Sequence, residues 1–267
     1  MHDKQPQIVA FGGGGFSMEE GNPLLDDYVL SLAGVERPKV CFLATASGDA
    51  DHYIVRFYRA FGSDRCRPSH ISFFRRERGV RNVTEHLLDQ DVIYVGGGSV
   101  VSMLGVWRAW GVDETLREAW RRGVVLCGLS AGSLCWFESG VTAYYGPPEP
   151  VEGLGMLPYS NAVHYGDPPS TRTVYHDLVA DGMATGFGVE DGAALHFVDG
   201  RLEACVSSRP DSRVWRTRRL LGRRVVEEPV DVRHLGADAP AAAARSRLWR
   251  VSGAPAGASR PVSAPGA

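Results

Sequence analysis

Nowhere in this chain do apolar residues run for the roughly 18 positions that would span a bilayer. No charge of either sign dominates: 29 Lys and Arg stand against 31 Asp and Glu, for a formal net charge of −2. Those absences leave no membrane segment and no electrostatic reason to bind nucleic acid or an anionic membrane surface. The opening MHDKQPQIVAFGGGGF has no charged leader followed by an apolar stretch and a small-residue cleavage site. No signal peptide is therefore expected, and the chain reads as cytoplasmic. Cysteine is sparse: five residues, at 41, 66, 127, 135 and 205, with no C-x-x-C pair. An odd number, three of them inside apolar strand-like runs, points to reduced thiols, with neither a disulfide framework nor a zinc site. No cofactor or metal is expected, and no internal repeat is visible.

What is present is an ordinary globular composition. The chain has 267 residues, 44% hydrophobic and 22% charged, enough for one large domain or two small ones. Short β-branched runs alternate with amphipathic stretches. Strands are expected at 7–15, 39–47, 69–75, 91–98 and 124–128. Helices are expected at 22–34, 50–62, 82–90 (capped by Asn82 or Thr84) and 100–123, the last broken near Gly111. Such spacing implies βαβ units: an α/β fold with three α/β/α layers around a mostly parallel central sheet. From about 139 the texture turns to strands and hairpins, with one helix near 171–182 and an Asp199-Gly200 turn. These read as extra C-terminal strands on the same sheet. SRLWRVSG (246–253) is also strand-like. One domain, 1–252, is expected, followed by a Gly/Pro/Ala/Ser-rich tail at 253–267 with little to bury. The charge-dense RTRRLLGRRVVEE (216–228) reads as exposed surface.

Ligands of parallel α/β sheets bind beyond the carboxyl ends of the strands. Three such ends carry glycine: Gly12–Gly15, Gly96–Gly98 and Gly128–Gly132. The first lacks the G-x-G-x-x-G spacing of a dinucleotide site, and reads as a loop needing positive φ or close backbone approach. YVGGGS offers unobstructed N–H groups at a helix start, suited to a developing oxyanion. GLSAG fits G-x-S-x-G, a tight strand-to-helix turn that exposes a nucleophilic serine, here Ser130. The N–H of Ala131 can face the same oxygen as an N–H from Gly97 or Gly98, which is the arrangement acyl transfer needs.

A serine needs a base. Of eight histidines, His164 lies in a polar Gly/Pro-rich loop after the elbow and is the first candidate; His176 is second. The imidazole needs an orienting acid. GFGVEDGAALHF offers adjacent Glu190 and Asp191, of which only one can face His164 because neighbouring side chains on a strand diverge. Asp167 and Glu138 are further candidates.

These residues together resemble the peptidase E group of serine peptidases, related to cyanophycinase. The resemblance rests on AFGGGGF, YVGGGSVVSML, GLSAGSLCWF, HYGDPPSTR and GVEDGAAL, and spans roughly residues 7–206. It implies a class I glutamine-amidotransferase-like fold. It also implies Ser130 as nucleophile, His164 as base, Gly97 or Gly98 with Ala131 as oxyanion donors, and Asp191 in preference to Glu190 as the acid. Some members carry an acid about fifteen residues after the serine; Tyr145 stands there. The family's aspartyl dipeptidases hold the substrate aspartate with an arginine in a TR step, which here is Arg172. The loop from His164 to it is shorter than theirs, and Ser99 replaces an asparagine that often follows the triple glycine. A solvated arginine at a helix start is the plain alternative for Arg172. The expected function is hydrolysis of short peptides, dipeptidase-like, with aspartyl specificity left open. The partner is a small peptide, and a homodimer is left open too. Two rivals remain. One is an α/β-hydrolase-type esterase, which would need His234 as base. The other is a non-catalytic small-ligand-binding protein on the same fold. A glutamine amidotransferase would need cysteine at the elbow.

Overall fold

Residues Val40 to Leu43 show how the frame is built. Val40 and Phe42 pack to one side of their strand, Cys41 and Leu43 to the other, and all four are fully buried. A strand buried on both faces belongs inside a parallel sheet covered by helices on each side. The computed structural model describes residues 4–74, 82–166 and 168–237. Its first half runs β1 (Gln7–Phe11), α1 (Gly15–Met18), α2 (Leu24–Leu32), β2 (Lys39–Leu43), α3 (Asp51–Ala60), β3 (Arg67–Ile71), α4 (Val83–Leu88), β4 (Val92–Val95), α5 (Val100–Trp110), α6 (Val112–Arg121) and β5 (Val125–Leu129). The second half runs α7 (Ala131–Leu134), β6 (Phe137–Thr142), β7 (Glu149–Glu152), β8 (Leu157–Ala162), α8 (Pro169–Ala180), β9 (Gly186–Val189), β10 (Ala193–Val198), β11 (Arg201–Ser207), β12 (Val214–Arg219), β13 (Val225–Val230) and β14 (Arg233–His234).

Eight strands form the main sheet in the order β14-β11-β10-β1-β5-β4-β2-β3. The run from β1 to β3 is parallel, and β10 joins β1 antiparallel. Leu25, Val29 and Phe57 of α2 and α3 cover one face. Met103, Trp107 and Leu116 of α5 and α6 cover the other. The expected α/β class and helices on both faces are thus observed. Gly111 breaks the helical pair with φ 67°, and Asn82 caps α4 by accepting the Glu85 N–H at 3.0 Å. Asp199 and Gly200 take φ of 54° and 74°, the two positive values a tight hairpin requires.

Two expectations are corrected. The later strands do not all extend the first sheet. Only β10, β11 and β14 do; β13-β12-β9-β8-β6-β7 form a second, six-stranded sheet. Phe137, Leu157, Phe187 and Val214 on that sheet share the core of α5 and α6. Val141 and Ala162 pack with Tyr175 and Val179 of α8. Alternating polarity tells a strand which face to bury, not which sheet to join. The helix expected after the elbow is present as a single turn, ending at Leu134. The carbonyls of Cys135, Trp136 and Phe137 accept from Leu154, Met156, Leu157 and Gly155 instead of from a continuing helix. The 216–228 segment is a hairpin with an inward side: Thr217 is fully buried and the Glu227 side chain is 7% exposed. The tail, residues 238–252 of the expected domain and SRLWRVSG lie outside the described residues. Among the described residues, no helix is long and apolar enough to cross a membrane.

Candidate active site

Ser130 sits at the bend between β5 and α7 with φ 53° and ψ −117°. A non-glycine residue there carries strain of ~1–3 kcal/mol, tolerated where the surroundings over-determine it. The glycines flanking it show what determines it. A Cβ on Gly128 would lie 2.3 Å from the Gly132 carbonyl oxygen, and one on Gly132 would lie 2.3 Å from that of Val95. The bend is therefore pressed against β4 with no room for side chains, and Ser130 is left half-buried beside a cleft of about 200 Å³. Gly98, Ser130, Leu134, Val141, Thr142, Ala143, Tyr144, Val163, His164, Pro168 and Thr171 line that cleft.

His164, just beyond β8, also has a positive φ, of 50°. Its Nδ1 is 2.6 Å from Asp191 Oδ1. Burial alone would raise the Asp191 carboxyl, but the hydrogen bond and charge of His164, helped by Arg209, hold it below the usual aspartate value. Glu190 points elsewhere: its carboxylate accepts from the Arg213 N–H at 3.0 Å and from Trp215 Nε1 at 3.2 Å. Of the two adjacent acids, Asp191 is the one joined to His164. Glu138 is exposed on β6 and does not line the cleft; Asp167 is outside the described residues.

The loop Gly12–Gly15 does more than turn the chain. The Gly12 carbonyl accepts the His164 N–H at 3.2 Å, and the Gly13 carbonyl accepts the Gly192 N–H at 2.9 Å. A Cβ on Gly13 would lie 2.2 Å from Asp191 Oδ1 and 2.9 Å from His164 Cε1. This segment thus clamps the backbone of both the histidine and the acid. The close approach was readable from four glycines; its target was not, because Asp191 is far away in sequence. A further brace was missed altogether. Ser212 Oγ donates to the Asp191 carbonyl at 2.6 Å, and Glu19 holds Ser208 at 2.6 Å and Arg209 at 2.5 Å.

At the other side of the cleft, the Gly97 N–H donates to the Tyr53 hydroxyl at 3.1 Å. Gly98, with φ 137°, borders the cleft itself. Ala131 opens α7, and the first N–H groups of a helix have no partner within it. Of the two candidate glycines, Gly97 thus has its N–H engaged by Tyr53, while Gly98 is the one that lines the cleft. Tyr145 bridges the turn after β6 to the start of α5, its hydroxyl 2.6 Å from Ser99 Oγ and 3.1 Å from Ser102 Oγ.

Arg172 does not line the cleft. It pairs with Glu227 of β13 and lies 4.7 Å over the Trp215 ring. His176, the second candidate base, is 2.9 Å from the same carboxylate. His234 lies on the edge strand β14 and does not line the cleft either.

Three comparisons bear on this geometry. The profile of peptidase family S51 matches residues 8–205. An uncharacterized peptidase of Bacillus subtilis (strain 168), YgaJ, is 44% identical over 231 residues, covering 86% of this chain and 99% of that protein. A peptidase from an acI-B1 Actinobacterium shares the fold at 18% identity and TM-score 0.63, over 86% of this chain and 96% of that one. A structure from Listeria monocytogenes EGD-e assigned as peptidase E shares it at 15% identity and TM-score 0.50, over 85% and 100%. This chain belongs to peptidase family S51, the peptidase E family of serine-type peptidases.

Proposed function

We propose that the chain cleaves short peptides through Ser130, His164 and Asp191. The observation that carries this reading is a His164–Asp191 pair at 2.6 Å opening on the same small cleft as a serine held at φ 53°. Asp191, kept ionised, accepts the Nδ1 proton of His164 and turns Nε2 toward the cleft. His164 takes the Ser130 proton as Oγ attacks the peptide carbonyl. The Gly98 and Ala131 amides receive the developing oxyanion. The imidazolium then protonates the leaving amine, and water releases the acyl group by the reverse path. A cleft of about 200 Å³ is below the roughly 300–1,000 Å³ of sites for drug-sized ligands, which supports substrates of dipeptide size.

The test compares wild type with Ser130→Ala on a dipeptide panel, aminoacyl reporters and a fluorophosphonate label. Loss of labelling and of nearly all hydrolysis in the variant is expected; equal rates would end the proposal. Asp191→Asn should lower kcat by about 10⁴ while leaving the fold intact, the size of loss when a triad acid is neutralised.

A further inference from the structure

We infer that Arg209 is a positioning residue for the triad, held on Glu19 so that its charge stands beside Asp191; this rests on the peptidase reading above. Two loops meet here. The turn that carries Asp191 continues into Gly192, whose φ is 80° and whose N–H reaches the Gly13 carbonyl at 2.9 Å. A Cβ on Gly192 would lie 2.9 Å from both Cγ and Cδ of Arg209, so the arginine stem lies on the residue next to the acid. The Arg209 Nε donates to Glu19 Oε1 at 2.5 Å. The other Glu19 oxygen accepts from Ser208 Oγ at 2.6 Å and lies 2.8 Å from where a Gly14 Cβ would be. The Glu19 side chain is 5% exposed and the Arg209 side chain 45%. A buried carboxylate thus lies against the Gly12–Gly15 loop and holds a half-exposed cation over the Asp191 turn.

A carboxylate as buried as Glu19 is costly unless it is paired, and its pairing partner acts on the triad. Burial pushes the Asp191 carboxyl up; the hydrogen bond and charge of His164, then the charge of Arg209, bring it below the usual aspartate value. A cation at this place opposes protonation of the His164–Asp191 couple as a whole. The ionisable groups around it come from several elements: Glu19 after α1, His164 after β8 and Asp191 before β10. Glu190 turns to Trp215 and the Arg213 N–H. Asp26 of α2 lies under Gly15, at the far end of the glycine loop. Arg209 itself follows residue 205, where the family profile ends. The charge beside the acid is therefore supplied by a stretch that the profile does not describe.

The experiment follows two rates against pH in wild type, Arg209→Met and Arg209→Lys. One is fluorophosphonate labelling of Ser130; the other is kcat/KM on the dipeptide that wild type cleaves fastest. Both report ionisation in the free enzyme. Arg209→Met should move the acidic limb of both profiles to higher pH by about 0.5 to 1 unit, the effect of one unit charge near a protein surface. Arg209→Lys, which keeps the charge and loses the planar fork, should hold the limb within about 0.2 unit of wild type. Asp26 is common to every variant, so its own titration drops out of the differences. An Arg209→Met profile that is lower at every pH with its limb unmoved marks a packing brace alone, and overturns the inference while the peptidase reading stands. A limb that moves to lower pH, or that moves equally in Arg209→Lys, overturns it too. A wild type that is neither labelled nor active on any peptide overturns the peptidase reading and the inference with it. Should Arg209→Met not fold, Arg209→Gln decides on the same terms.

Discussion

Two of the four non-glycine residues with positive φ among the described residues sit at the site: Ser130 and His164, at 53° and 50°. Each is locked by glycines whose missing side chains let other strands press close, so the sensitive positions lie next to the chemistry as much as in it. Gly13→Ala should act like a triad mutation. Its methyl group would displace Asp191 Oδ1, so the expected outcome is a fall in kcat of at least 10²-fold with little change in KM, read by steady-state kinetics on a variant checked by circular dichroism. Asp26 tests a different kind of site. Burial raises its carboxyl from 3.8 to about 7, against the opposing hydrogen bond from Tyr94. The folded chain therefore holds this proton where the unfolded chain has released it. The stability it contributes is fully present below about pH 4 and falls away as pH rises to about 7, by on the order of 4 kcal/mol in all. Asp26→Asn should flatten that slope, so its stability relative to wild type grows between pH 4 and 8 in urea titrations. The nucleophile and the glycine ends were legible in the sequence because small residues around a lone hydroxyl at a strand end suit a sharp, exposed bend and little else. Glu227 was not. Its sequence neighbourhood is rich in exposed charge, and only strand pairing turns that one acid inward.

At the scale of elements, the strand–helix alternation up to β5 was readable because β1, β2, β4 and β5 are apolar on both faces and the helices between them have one apolar side. The second sheet was hidden, since β6 to β9 have the same local texture whichever sheet they join. The turn between β6 and β7 illustrates what such pairing adds. Tyr144 lines the cleft while Tyr145 is fastened to Ser99 and Ser102 at the start of α5. Tyr145→Phe cuts that tie without touching the triad. The expected result is a KM raised about fivefold, the weight of one or two modest hydrogen bonds, with kcat near the wild-type value. A matched fall in kcat and kcat/KM would instead put the hydroxyl in the reaction itself.

Across the whole molecule, the site straddles two sheets. Ser130 leaves β5 of the first; His164 follows β8 of the second, and Asp191 joins β9 of the second to β10 of the first. A relative shift of about an ångström between those layers is enough to cost two orders of magnitude in rate. In a urea titration, hydrolysis should therefore disappear at a lower concentration than far-ultraviolet ellipticity; coincident curves would mean the sheets part only on global unfolding. Removing everything after residue 205 should be worse. It strips β12 from β9, leaving the strand that leads to Asp191 as a bare edge, and the shortened chain is expected to be inactive and prone to aggregate. That late hairpin also has an evolutionary reading. Ser130, His164 and Asp191 all precede residue 205, while Trp215 and Glu227, which hold Arg172, follow it, so a lineage could vary the outer face of the far hairpin while the cutting machinery drifts hardly at all.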